Sequence, residues 1–205
     1  NCLGNVMRAK GDHVQAVDCF QKTVALRPDH AKAFYNLGCV LSEQGKPHEA
    51  IESLRRAIAI RPDYADAHRN LGAELISVGL SEAAIPCYQA AIRHNPHNAE
   101  FHYNLGYVMS ILGERDAAIS SYQKSLSLQP GYTQCYRQLS DLHTFSPEDP
   151  LLRTISALYD RTTDSNDKAH LCFALAKANE DLSNYDQAFT LYAEGNRLRK
   201  DRLSY

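Results

Sequence analysis

No stretch of this chain approaches the roughly 18 consecutive apolar residues that a membrane-spanning helix needs. Its charge has no dominant sign either: 22 lysines and arginines stand against 24 aspartates and glutamates, a formal net charge of −2. Such a surface has no overall field to draw a polyanion, so nucleic acid and membrane are both disfavoured as partners. The first residues, Asn1-Cys2-Leu3-Gly4, lack the basic stretch followed by an apolar one that marks a signal peptide. None of the patterns GxxxxGK[ST], GxGxxG or GxSxG occurs, which removes the usual phosphate, dinucleotide and acyl-transfer signatures. Six cysteines are present, Cys2, Cys19, Cys39, Cys87, Cys135 and Cys172, but no pair has the CxxC spacing of a metal knuckle. They read as reduced, small apolar side chains of a cytoplasmic protein. Cys19 and Cys87 in particular are expected to be buried. No catalytic, cofactor or metal site is assigned.

What the sequence does contain is a period. Gly4, Gly38, Gly72 and Gly106 recur every 34 residues, as do Gly11, Gly45, Gly79 and Gly113, and as do Pro28, Pro62, Pro96 and Pro130. A fixed step of this size implies a stacked repeat array rather than one closed globule. The clearest unit is Ala31 to Tyr64. Phe34, Leu37, Gly38 and Leu41 make an amphipathic stripe at helical spacing. Gly45 ends that helix, and Pro47, with φ preset, suits the start of the next. Ala50, Leu54, Ala57 and Ile58 share a face of the second helix, which Arg61-Pro62 terminates. The unit is therefore a helical hairpin. Gly38 and Ala50 are expected where a larger side chain would hold the two helices apart. Pro86, about one turn into its helix, is expected to kink it at up to ~3 kcal/mol.

These residues resemble the tetratricopeptide repeat. YNLG at Tyr35–Gly38 and again at Tyr103–Gly106 is close to the family motif. The usual first-helix tryptophan is replaced by Phe34, His68, His102 and Tyr136, so both histidines read as packing residues before ligands. The resemblance implies an all-α, right-handed superhelical solenoid. The array covers 1–145: a truncated first repeat entered partway along a helix at Asn1, repeats 31–64, 65–98 and 99–132, and a fifth first helix. A helical extension follows over 146–205.

On each first helix, positions 0, 4, 7 and 11 share one face. They are Lys32, Asn36, Cys39 and Glu43, then Asp66, Asn70, Ala73 and Ser77, then Glu100, Asn104, Tyr107 and Ile111. In the family such a face lines a concave groove. Asparagine is a poor mid-helix residue, yet Asn36, Asn70 and Asn104 hold the step of 34. Its amide donates and accepts, as a peptide unit does. Rungs about 10 Å apart match roughly three residues of extended chain. An asparagine ladder would hold a peptide backbone and resembles the groove of the O-linked N-acetylglucosamine transferase repeats; the same asparagines also fit a family habit before Leu-Gly. Gln138 extends the ladder, Cys2 breaks it, and Tyr35, Arg69, Tyr103, Tyr107 and Arg137 stand on or beside it as ligand contacts. Asp66 and Asn70 occupy positions that carry basic groups in repeats clamping chaperone C-terminal carboxylates, which argues against that ligand.

In the extension, Ser146-Pro147-Glu148-Asp149 reads as a helix start with a serine cap. Thr162 to Asp167 reads as a loop, followed by helices over His170–Leu182 and Tyr185–Leu203. The last pair is a degenerate repeat from which Gly195 and Lys200 depart. Leu171 to Tyr205 resembles the segment joining repeats to catalytic domain in bacterial tetratricopeptide–sulfotransferase fusion proteins. The expected function is binding of a protein or extended peptide, by a fragment that is not itself an enzyme. The alternatives are the substrate-recruiting arm of a sulfotransferase and a scaffold that self-associates through the cut first repeat.

Overall fold

The computed structural model describes residues 2–203, and the side chains of 2–200. Twelve helices and no strands are formed among the described residues. They fall into two compact units, Asn1–Glu114 and Arg115–Tyr205. This division lies inside the repeat 99–132, whereas the repeat register places the end of the array at 145; compactness and register partition the chain differently. No helix among the described residues is long and apolar enough to cross a membrane.

The first unit contains α1 (Cys2–Ala9), α2 (His13–Leu26), α3 (Ala31–Glu43), α4 (Pro47–Ile60), α5 (Ala65–Ser77), α6 (Ser81–His94) and α7 (Ala99–Ile111). Asp12 caps α2 by accepting from the Gln15 amide at 3.0 Å, and Pro47 opens α4 at its first turn. The turn glycines Gly11, Gly45 and Gly79 hold φ of +78°, +69° and +81°, a region that costs other residues about 1–2 kcal/mol. The mid-helix glycines serve a different end. A Cβ on Gly38 would fall 2.8 Å from Leu54 Cγ, one on Gly72 2.8 Å from Tyr88 Cζ, and one on Gly4 2.7 Å from a Phe20 ring carbon. Each of these three first helices thus receives the bulky residue of its own second helix, at the glycine where a larger side chain would hold the two apart. Around these contacts one apolar cluster gathers Phe20, Leu37, Val40, Leu41 and Ala50, and another Leu54, Leu71, Leu75, Tyr88 and Val108.

The aromatic position gains a second role. His68 Nε2 donates to the Pro62 carbonyl at 2.8 Å, and His102 Nε2 to that of Pro96 at 2.9 Å. In the second unit Tyr136 does the same to Pro130 at 3.0 Å. The polar tip therefore satisfies the carbonyl left open where the preceding helix ends. Helix α6 is continuous from Ser81 to His94 with Pro86 inside it. Both Pro86 and Glu82, whose carbonyl loses its partner, are exposed, so solvent can satisfy that group. Cys19 and Cys87 are half-buried rather than buried; each immediately precedes a core position, Phe20 or Tyr88, and stands on the flank of its helix.

The second unit contains α8 (Arg115–Leu128), α9 (Thr133–Leu142), α10 (Pro150–Arg161), α11 (Ser165–Asp181) and α12 (Tyr185–Leu203). The helix expected to start at Ser146 starts at Pro150 instead, capped by Asp149, which accepts from the Leu151 amide at 2.8 Å. Proline at 150 disfavours helical backbone at 149, so Asp149 becomes the cap. Similarly Asp164 caps α11 through the Asn166 and Asp167 amides at 2.9 Å, which moves the start of that helix into the expected loop. Gly195 is not a break in the pattern: a Cβ there would meet Cys172 Cβ and Phe173 Cζ at 3.1 Å. The chain between α9 and α10 is clasped. The Phe145 amide donates to Asp181 Oδ2 at 3.0 Å, Lys177 pairs with Asp181 at 2.5 Å, and His143 Nε2 lies 2.6 Å from Asp149 Oδ2. Phe145, Ile155, Leu171 and Leu175 form this unit's core.

Candidate functional site

Three first helices of the first unit, α1, α3 and α5, border a cavity of about 280 Å³. Its wall includes Cys39, Glu43, Asn70 and Ala73, all from the face assigned to positions 4, 7 and 11 of the first helices. Tyr35 and Arg69, expected beside the ladder, also line it. Three further polar residues complete it: Arg8, Ser42 and Glu74.

The asparagines turn out to do two different things. Asn36, buried at 5% exposure, donates Nδ2 to Asn5 Oδ1 at 3.1 Å. Asn70 donates Nδ2 to Cys39 Sγ at 3.1 Å. Both bonds run back 31 residues, to the same register position of the preceding first helix. That position before Asn104 is Ala73, which offers no acceptor. Asn104 is half-buried, and its amide has no partner among the described residues. Two rungs are therefore latches between repeats, and the third keeps both hydrogen-bonding functions of its amide unengaged among the described residues.

Other expected contacts are distributed unevenly. Tyr103 is only 6% exposed and packs in the core, so it presents little to a ligand. Tyr107 is 38% exposed and Ile111 47%, giving the Asn104 end an apolar flank. Tyr35 is half-buried with its ring 4.8 Å from that of Tyr64. Arg69 places Nη1 3.5 Å from Glu100 Oε1, while its Nε is buried without a hydrogen bond, an arrangement worth about 1–3 kcal/mol of lost solvation. Gln138 and Arg137 belong to the second unit, where the Arg137 guanidinium stands 4.5 Å from the Phe173 ring centroid and Gln138 is half-buried.

The electrostatics of the cavity are balanced. Arg8 grips Glu43 through Nε at 3.0 and 3.1 Å and Nη2 at 2.5 Å, a forked pair that fixes both side chains. Glu74 Oε1 accepts from the Ser42 hydroxyl at 2.6 Å. Burial, with Cys39 beside it, pushes the Tyr35 hydroxyl up. Burial likewise pushes the Cys39 thiol up, so it is not the thiolate a nucleophile requires. The site offers hydrogen bonds and paired charge rather than an activated atom. Among the described residues no group of three or more His, Cys, Asp and Glu side chains is placed to hold a metal ion.

Sequence reading missed Glu74, although the signal was present. At its register position the other repeats carry Val6, Val40 and Val108, and Val40 and Val108 are fully buried. A carboxylate in a core register is a departure that only alignment of the repeats with each other reveals.

Helical hairpins stacked in this way define a repeat protein of the all-α solenoid class. Family models described as tetratricopeptide repeat match residues 1–63 and 99–132, and one described as TPR repeat matches 77–110; together they span more than half of the chain. The chain belongs to the tetratricopeptide repeat proteins. None of these models is of a sulfotransferase, and they end at 132, so the likeness seen in Leu171 to Tyr205 gains no support from them. No curated protein matches the sequence. Among solved structures, the chain is similar to MamA at 24% identity and TM-score 0.65, covering 98% of this chain and 97% of that one. It is similar to YrrB at 17% identity and TM-score 0.67, covering 91% and 95%. TTC0263, a protein of Thermus thermophilus, follows at 24% identity and TM-score 0.60, covering 92% and 96%. These likenesses show the fold.

Proposed function

We propose that the chain is a protein-binding module that takes an extended peptide against the first helices of its first unit. The observation that carries this reading is the unengaged amide of Asn104, one repeat along from a polar cavity of about 280 Å³. A peptide unit matches such an amide with one donor and one acceptor. YrrB, whose structure is described as "a TPR protein with an unusual peptide-binding site", shares the fold and lends support. The test is selection of peptides from a randomised library, followed by nuclear magnetic resonance mapping of the bound peptide. The expected shifts centre on Asn70, Asn104 and Tyr107. Shifts confined to the exposed faces of α2, α4 and α6 would overturn the reading.

Self-association is a second reading, favoured by one observation. Leu3 and Val6 are 58% and 48% exposed, while Leu37 and Val40 at the same register are 6% and 0%. A second copy covering α1 would make the apparent mass rise with concentration in light scattering; constant mass rules it out. The finer reading, a recruiting arm of a sulfotransferase, rests on the resemblance of Leu171 to Tyr205, and the coding sequence after Tyr205 decides it.

A further inference from the structure

Resting on the groove reading, the geometry points to the α1–α3–α5 cavity as a pocket for a primary carboxamide, the side chain of a glutamine or asparagine in the bound peptide. The third repeat is the one that departs from its neighbours here. It carries Glu74 where Val6, Val40 and Val108 stand, and Arg69 where Tyr35 and Tyr103 stand, an exchange the register repeats only at Arg137. Both departures face the same cavity. The other two charges on its wall, Arg8 and Glu43, are closed on each other by the forked pair. The two departures are the Arg69 guanidinium, whose Nη1 stands 3.5 Å from Glu100 Oε1, and the Glu74 carboxylate, which holds the Ser42 hydroxyl on one oxygen.

That pair discriminates by charge and by geometry. A ligand carboxylate meets Glu74 and an ammonium meets Arg69, so each gains one contact and suffers one repulsion. An apolar side chain desolvates both groups and offers neither a hydrogen bond in return. A hydroxyl has its donor and acceptor on one atom, so it bridges the two groups only where both come within hydrogen-bond distance of that single atom. A carboxamide separates them: its oxygen accepts from Arg69, and its NH₂ donates to Glu74 Oε2, since Oε1 already takes the Ser42 hydroxyl. Asn70, which lines the cavity with its Nδ2 committed to Cys39, keeps Oδ1 as a second acceptor. A ligand oxygen placed against Arg69 Nε would also give that buried, unbonded donor a partner.

The experiment is selection of bead-displayed random heptapeptides against the full chain, in wild type and in two variants. Wild type is expected to enrich glutamine or asparagine at one position about 10-fold over glutamate, lysine and leucine, as a site built to hydrogen-bond rejects analogues lacking the groups. Glu74→Val installs the residue of the neighbouring repeats and is expected to keep peptide binding but replace the carboxamide with apolar residues. Glu74→Gln keeps the Ser42 bond and is expected to admit glutamate. Equal carboxamide enrichment in wild type and Glu74→Val, or preference for lysine or glutamate in wild type, overturns the inference while leaving the groove reading intact. Absence of any enriched peptide in wild type overturns both.

Discussion

Asn70 on α5 donates its side-chain amide to the sulfur of Cys39 on α3 at 3.1 Å, and the same register position on α3, Asn36, reaches Asn5 on α1. Asn104 has the identical placement but faces Ala73. Asn70→Ala is therefore expected to lower stability by about 0.5–1.5 kcal/mol, the net worth of one hydrogen bond. Asn104→Ala is expected to stay within about 0.5 kcal/mol of wild type and to weaken peptide capture instead. Urea unfolding beside peptide binding separates the two effects.

The two glycine series should respond to alanine for different reasons. Gly72→Ala drives a methyl group to 2.8 Å from the buried Tyr88 ring and is expected to cost about 1–3 kcal/mol as overpacking. Gly79→Ala has nothing within 4 Å and is limited to the strain of its φ of +81°, about 1–2 kcal/mol. A crystal structure of Gly72→Ala should show α5 and α6 moved apart, and that of Gly79→Ala only a changed turn.

Acid should loosen the clasp between α9 and α10. Burial opposes ionisation of Asp149, but the hydrogen bonds from His143 and the Leu151 amide prevail and hold it below its ordinary value. Asp181 is likewise held down, by Lys177 and the Phe145 amide against the effect of burial. Carboxylates lowered on folding contribute stability that is full above the unfolded value of about 4 and is lost as pH falls through the lower folded values. Asp181→Asn is expected to reduce stability at pH 7 and to flatten its decline below about pH 4. Parallel pH profiles for the two proteins would contradict the assignment.

Thiol chemistry should report unfolding. All six cysteines are free. Burial pushes the Cys135 thiol up to about 12 and the Cys172 thiol up to about 11. Both are expected to resist a disulfide reagent at pH 8 until the second unit opens. Their modification rate should rise with urea in step with loss of helical signal.

The hairpins are legible in the sequence because their determinants are local. The glycine that turns the chain, the proline that opens the next helix and the small-large alternation all lie within one period of 34 residues. The start of α10 is easily misread because Ser146-Pro147 and Asp149-Pro150 both look like capped beginnings. The restriction of Asp149 by Pro150 decides between them, and that competition is invisible in a single motif. The asparagine latches are illegible for another reason. Whether an amide reaches back 31 residues depends on the offset at which hairpins stack, which no spacing within one repeat encodes. Position 103 shows the same limit: its sequence neighbours suggest a groove residue, but packing turns Tyr103 inward.

Glu74 has a consequence for anyone who would regularise this array. Averaging the repeats would write valine there, and the regularised protein is expected to be the more stable one, since a core register would regain its apolar filling. It would also have lost the only polar break in that register. The irregular repeat is then the one carrying information, and the regular ones are the frame that holds it in position.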